Sequence, residues 1–87
     1  MVKRMNKVFV KLYVPLVEEN YEIFIPINKE ICDIIKLLVK AINELVDTDY
    51  LLTNETGLYN KDTGEKYNSE LKICDTDIKN GIELILA

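Results

Sequence analysis

The stretch NKEICDIIKLLVKAINELV, residues 28–46, decides the architecture, because within it the apolar period changes from that of a strand to that of a helix. From Lys29 to Val46, residues Ile31, Ile34, Ile35, Leu38, Ile42 and Leu45 fall on one arc roughly 100° wide, the width of a core-facing stripe. Lys29, Asp33, Lys36, Lys40, Asn43, Glu44 and Asp47 occupy the opposite arc. Asn28 has the chemistry of an N-cap, and Glu30 suits the positive end of the helix dipole. Burial of each Ile or Leu stabilises by roughly 1.5–3 kcal/mol, so this helix is expected to be the main cover of a sheet. The apolar arc widens through Cys32 and Val39 on one flank and Leu37 and Ala41 on the other. Either loops lap over those flanks or a partner does.

On the N-terminal side the period is two. In residues 7–14, Val8, Val10, Leu12 and Val14 share one face and Phe9, Lys11 and Tyr13 the other, the pattern of a half-buried strand. Pro15 ends it. Residues 21–27 repeat the alternation, with Tyr21, Ile23, Ile25 and Ile27 on one face and Glu22, Phe24 and Pro26 on the other. The short connection implies an antiparallel hairpin. Pro26 implies that the second strand is an edge. Residues 1–6 read as a disordered leader, leaving 7–87 as a single domain.

On the C-terminal side, residues 50–53 and 58–60 read as short strands joined by a turn in which Gly57 is free to take positive φ. A second turn ends at Gly64. Residues 67–74 form an irregular stretch anchored by Leu71 and Ile73. Asn80-Gly81 is a tight-turn dipeptide. Residues 82–86 close the chain as a strand, with Ile82, Leu84 and Leu86 inward and Glu83 and Ile85 outward.

Composition narrows the function. Of 87 residues 48% are apolar, and 29 are Ile, Leu or Val, enough for a core. There is no His, which removes His-based acid–base chemistry, His-assisted nucleophiles and His metal ligands. The net charge is −4, and the Lys3-Arg4, Lys7 and Lys11 cluster reads as a solvated leader. Nucleic acid and anionic membrane surfaces are therefore not expected partners. Cys32 and Cys74 lie outside any C-x-x-C motif and read as buried, reduced cysteines of a cytoplasmic protein. No signal peptide or membrane span is expected. Asp75, Asp77 and Asn80-Gly81 lack the spaced ligands and closing Glu of a calcium loop. No metal, cofactor or catalytic residue is expected.

One helix among five short strands excludes a doubly wound sheet, and residues 66–80 offer at most a short helical turn, against a ferredoxin-like arrangement. The remaining reading is α+β: a mixed five-stranded sheet with one long helix across one face, its first and last strands parallel at the centre. This is the β-grasp. Residues 58–64, Lys72-Ile-Cys-Asp75, Ile78, Asn80-Gly81 and Leu84-Ile-Leu86 resemble the ending of ubiquitin-like proteins. The chain is most similar to the small bacterial ubiquitin-like proteins of the YukD/EsaB type, which accompany type VII (WXG100) secretion systems in Gram-positive bacteria. The resemblance implies a cytoplasmic accessory or regulatory role without catalysis. An adaptor of another bacterial pathway (toxin, phage or conjugation related) is the alternative. Conjugated ubiquitins and sulfur carriers of this fold end in a mobile Gly-Gly, whereas this sequence ends in Leu84-Ile-Leu-Ala87, so conjugation is not expected.

The candidate site is a surface. Phe9, Lys11, Tyr13, Phe24 and Ile85 are expected on the sheet face away from the helix, with Leu51 or Leu52 from a neighbouring strand. Phe9, Tyr13 and Ile85 would form one apolar patch with Phe24 flanking, a place for a protein partner or for a second copy of the chain.

Overall fold

Alternating apolar residues build the hairpin first. In the computed structural model, which describes residues 6–45 and 55–87, β1 (Lys7–Val14) and β2 (Glu19–Pro26) are antiparallel. Val8 opposes Ile25 and Val10 opposes Ile23 on the inner face, while Phe9 opposes Phe24 and Lys11 opposes Glu22 on the outer. The turn between them places Glu18 at a φ of 52°. The helix α1 (Ile31–Leu45) follows, then β3 (Leu58–Asn60), one 3-10 turn (Ile73–Asp75) and β4 (Ile82–Leu86).

The sheet order is β2-β1-β4-β3. β4 runs parallel to β1, with Leu12 beside Leu84 inward and Tyr13 beside Ile85 outward. β3 is antiparallel to β4, with Leu58 opposite Leu86 and Tyr59 opposite Ile85. The expected central parallel pair and edge strand are thus present, and Pro26 stands at the end of that edge. Ile31, Ile34, Ile35, Leu38 and Ile42 of α1 form one core with the inward residues of all four strands and with Ile73 and Ile78. This is the β-grasp arrangement, and within the described residues its sheet has four strands rather than five. Residues 50–53, the remaining strand of the sequence reading, lie outside the described residues, as do 1–5 of the expected leader. Asn6, assigned to that leader, instead takes part in the hairpin: its carbonyl accepts from Ile27 N–H at 3.0 Å.

Several local expectations are corrected. The helix begins at Ile31, so its cap falls on Glu30 rather than Asn28. The Glu30 carbonyl accepts from Ile34 N–H, while Ile31 and Cys32 N–H donate to the carbonyls of Leu71 (2.8 Å) and Ser69 (2.9 Å). A distant loop meets the free donors of the first turn, so a side-chain cap is not needed there. Leu71 anchors its loop through this carbonyl; its side chain is exposed. Leu45, assigned to the core stripe, is also exposed, and Ile42 is the last buried residue of α1. Neither cysteine is buried: Cys74 is exposed and Cys32 half-exposed. A single 3-10 turn points only one of its three side chains inward, and Ile73 takes that place. Gly57 does not serve as a positive-φ turn residue; Gly64 and Gly81 do. Gly57 exchanges two backbone hydrogen bonds with Ala87, at 2.7 and 3.0 Å, extending the β3–β4 ladder.

Candidate functional site

The outer face of the sheet follows directly from the alternation. Each strand spends its inward positions on the core, so the intervening residues point away from α1. The five residues expected there, Phe9, Lys11, Tyr13, Phe24 and Ile85, do share this side of the registered strands. Phe9 and Phe24 meet as a cross-strand pair with ring centroids 5.4 Å apart and planes tilted by 52°, a favourable aromatic geometry. Phe24 is 57% exposed.

The face is not one apolar patch. Lys11 lies between Phe9 and Tyr13 along β1 and is flanked across the ladders by Glu22 and Glu83. This charged belt divides the face into a Phe9–Phe24 end and a second end where Tyr13, Ile85 and Tyr59 line up across β1, β4 and β3. Lys61 joins the belt: its Nζ is 3.4 Å from Glu83 Oε2 and 5.8 Å from the centre of the Tyr13 ring. A shallow depression of about 210 Å³ opens between Lys11, Tyr13, Glu22, Lys61 and Glu83. Sequence reasoning missed Tyr59 and Lys61. The signal for Tyr59 was available, since Leu58 and Asn60 point inward and alternation sends Tyr59 out. The expected contribution of Leu51 or Leu52 lies outside the described residues; the strand beside β4 is β3, and it contributes Tyr59.

The helix flanks separate as well. Cys32 and Val39 line a groove of about 640 Å³ between α1 and the segments 55–57 and 66–69. Leu37 and Ala41 are exposed and are not among the groove's lining residues. Among the described residues, Glu30, Cys32 and Asp33 are the set whose ligand atoms all lie within 4.8 Å of one another. The Cys32 thiol donates to Glu30 Oε2 at 3.5 Å. Partial burial, followed by this bond and the neighbouring carboxylates, raises its pKa. A raised thiol pKa favours the protonated form, whereas metal ligation and nucleophilic attack need the thiolate.

The third of the chain that carried the family resemblance is tied together by Tyr67. Its hydroxyl donates to Asp77 Oδ1 at 2.7 Å and accepts from Asn60 Nδ2 at 3.2 Å. Asn60, buried, turns its Oδ1 to the N–H groups of Asp62 (2.8 Å) and Thr63 (3.2 Å). Three loops are thereby joined through one side-chain network. Burial, then the bond to Asp77, pushes the Tyr67 pKa up to about 12. The folded protein therefore holds this proton more tightly than the unfolded chain does. Its contribution to stability is complete below the ordinary Tyr value of about 10 and declines as pH rises toward the folded value. Denaturation of wild type and Tyr67→Phe across this alkaline range is expected to show a steeper loss for wild type. Parallel pH profiles would remove Tyr67 from the alkaline response.

The chain matches no protein-family model and no curated protein. Solved structures do match. A chain from a structure described as molecular mimicry of SUMO that promotes DNA repair superposes with a TM-score of 0.76 at 13% identity, over 98% of this chain and 95% of that one. A chain of the MycP5-free ESX-5 inner membrane complex gives a TM-score of 0.70 at 13% identity, over 95% of this chain but 21% of its own length. The EccD5 ubiquitin-like domain of Mycobacterium xenopi gives 0.64 at 13% identity, over 93% and 92%. At this identity the likeness speaks for the fold, which is ubiquitin-like. No helix among the described residues is long and apolar enough to cross a membrane.

Proposed function

We propose that this chain is a non-catalytic protein-interaction module, a cytoplasmic accessory of a type VII secretion system of the YukD/EsaB kind, which holds its partner against the outer face of the sheet. The observation that carries the reading is the Phe9–Phe24 pair, Phe9 half-buried and Phe24 exposed, on the side of the sheet opposite the helix. The core is already filled by aliphatic residues from every element. Large aromatics left outside such a core are the residue type that anchors protein interfaces. The belt of Lys11, Glu22, Lys61 and Glu83 supplies both signs of charge next to those anchors, which favours register and orientation over non-specific adhesion. The likeness to the EccD5 domain and to the ESX-5 chain supports the choice of pathway. The absence of His supports a binding role.

The test is capture of crosslinked complexes on tagged chain, expressed in the bacterium that encodes it. Type VII membrane components are expected with wild type. Phe9→Glu and Ile85→Glu are expected to weaken capture on the order of 10–30-fold, the effect of losing one interface anchor, while circular dichroism shows both variants folded. Enrichment of components of a toxin, phage or conjugation system instead would reassign the pathway and leave the surface standing. Undiminished capture by both variants would move the interface off the sheet, to the helix flank.

A further inference from the structure

Asn80-Gly81 is the sole Asn-Gly dipeptide of the chain, and the fold engages both residues at one point of β1. Asn80 Oδ1 accepts from Phe9 N–H at 2.9 Å. Gly81 N–H donates to the Phe9 carbonyl at 2.8 Å. Phe9 is thus paired toward β4 by one side-chain oxygen and one backbone nitrogen, just ahead of Val10, where regular parallel pairing with Ile82 begins. Gly81 has a φ of 86°, a conformation that glycine adopts without strain. Both residues are exposed to solvent.

We propose that Asn80 is a site of spontaneous covalent modification, converting to aspartate and isoaspartate through a succinimide, and that its pairing with Phe9 gates the reaction. The Gly81 nitrogen gives up its proton to hydroxide and attacks Asn80 Cγ. A nitrogen–Cγ bond forms, the Cγ–Nδ2 bond breaks, and ammonia leaves with a proton taken from water. Water then opens the five-membered ring. Attack at Cγ yields aspartate; attack at the main-chain carbonyl yields isoaspartate. The sum is one amide and one water giving one carboxylic acid and ammonia, with no change in oxidation state.

Glycine after asparagine leaves the attacking nitrogen unshielded by a Cβ, which makes this dipeptide the chain's most reactive candidate in an unfolded state. In the fold both partners of the reaction are committed. The Gly81 N–H is held by the Phe9 carbonyl, and the Asn80 amide is held by the Phe9 N–H. Deprotonation and rotation toward ring closure each require breaking one of these bonds. The reaction therefore samples the opening of the β1–β4 junction. The aspartate product keeps an oxygen for Phe9 N–H. The isoaspartate product routes the main chain through Cβ and Cγ, one carbon longer, so the side-group oxygen and Gly81 N–H no longer reach Phe9 together. Molecules that have opened long enough to react are thereby marked at the junction whose loss they record.

The experiment incubates the full chain in mildly alkaline buffer, with and without denaturing urea. It maps the amide-to-acid mass change by peptide and counts isoaspartate with a protein isoaspartate methyltransferase and labelled S-adenosylmethionine. In urea, Asn80 is expected to react faster than every other asparagine. In the native protein its rate is expected to fall on the order of tenfold or more, since two hydrogen bonds must open together. Gly81→Ala in urea, where folding is irrelevant, is expected to slow the reaction several-fold. Equal rates at Asn80 in native and denatured protein would overturn the gating. A denatured chain that reacts first at Asn68, or an unchanged rate in Gly81→Ala, would overturn the site.

Discussion

Replacing Leu84 by alanine is expected to lower stability by about 2–5 kcal/mol, the cost of deleting a fully buried Leu and leaving part of its cavity. Leu84 is inaccessible to solvent. It stands on the strand between β1 and β3, opposite both Leu12 and Asn60. Every neighbour on that row is itself held by the sheet, so the space cannot close by a local shift. A chain of 87 residues has about 4–13 kcal/mol of total stability at typical per-residue values, so the variant is expected to sit near the limit of folding. Urea denaturation monitored by circular dichroism reads the effect as a lower midpoint at unchanged slope. Ile85→Ala supplies the contrast one position along: it removes a half-buried outer-face side chain and is expected to cost about 1 kcal/mol. Similar midpoints for the two variants would contradict the assignment of faces on β4.

Lys11→Pro is expected to be damaging on a comparable scale, about 2–4 kcal/mol from the lost ladder bond and the acceptor left unpaired, even though the Lys11 side chain is exposed. β1 is paired on both edges, with Lys11 opposite Glu22 on one side and Glu83 on the other. Whichever neighbour its N–H faces, proline deletes a ladder donor and forces the ring into a paired strand. Lys11→Ala separates backbone from side chain and is expected to fall within about 0.5 kcal/mol of wild type. The natural Pro26 shows where the fold does accept proline: at the end of β2, on the sheet edge. A soluble Lys11→Pro protein with a wild-type midpoint would mean that β1 is not central.

The sequence made these elements legible where one residue's side chain decides its own place. Alternation in residues 7–14 and 82–86 set the inner and outer faces, and both registers follow it. Proline marked the edge. The 3.6-residue period found α1, with five of the six stripe residues buried. What stayed hidden depends on backbone groups distant in sequence. The carbonyls of Ser69 and Leu71 cap the helix in place of Asn28, and no local pattern encodes that. Gly57 had the look of a turn glycine but is consumed by pairing with Ala87. For the site, alternation delivered Phe9, Lys11, Tyr13, Phe24 and Ile85 to one face. It did not reveal that Lys11, seated between two carboxylate-bearing neighbours, separates the aromatic ends. Lys61 was invisible for another reason: it lies just past β3, where period-two reasoning stops, and only the tertiary fold brings its ammonium over Tyr13.

The parallel contact between β1 and β4 sets a timetable for biosynthesis. Val10 and Ile82 are direct neighbours in the sheet, yet almost the whole chain separates them in the order of translation. The hairpin and helix can emerge from the ribosome and begin to associate, but the innermost slot of the sheet stays vacant until the last strand leaves the exit tunnel. Closing so long a loop is the slow, entropically costly step of folding. During that interval the inner flank of β1 presents unpaired amides to any passing strand. A polysome stalled before Ile82 would therefore display a half-built domain, suited to chaperone capture, and emergence of β4 would end that exposure.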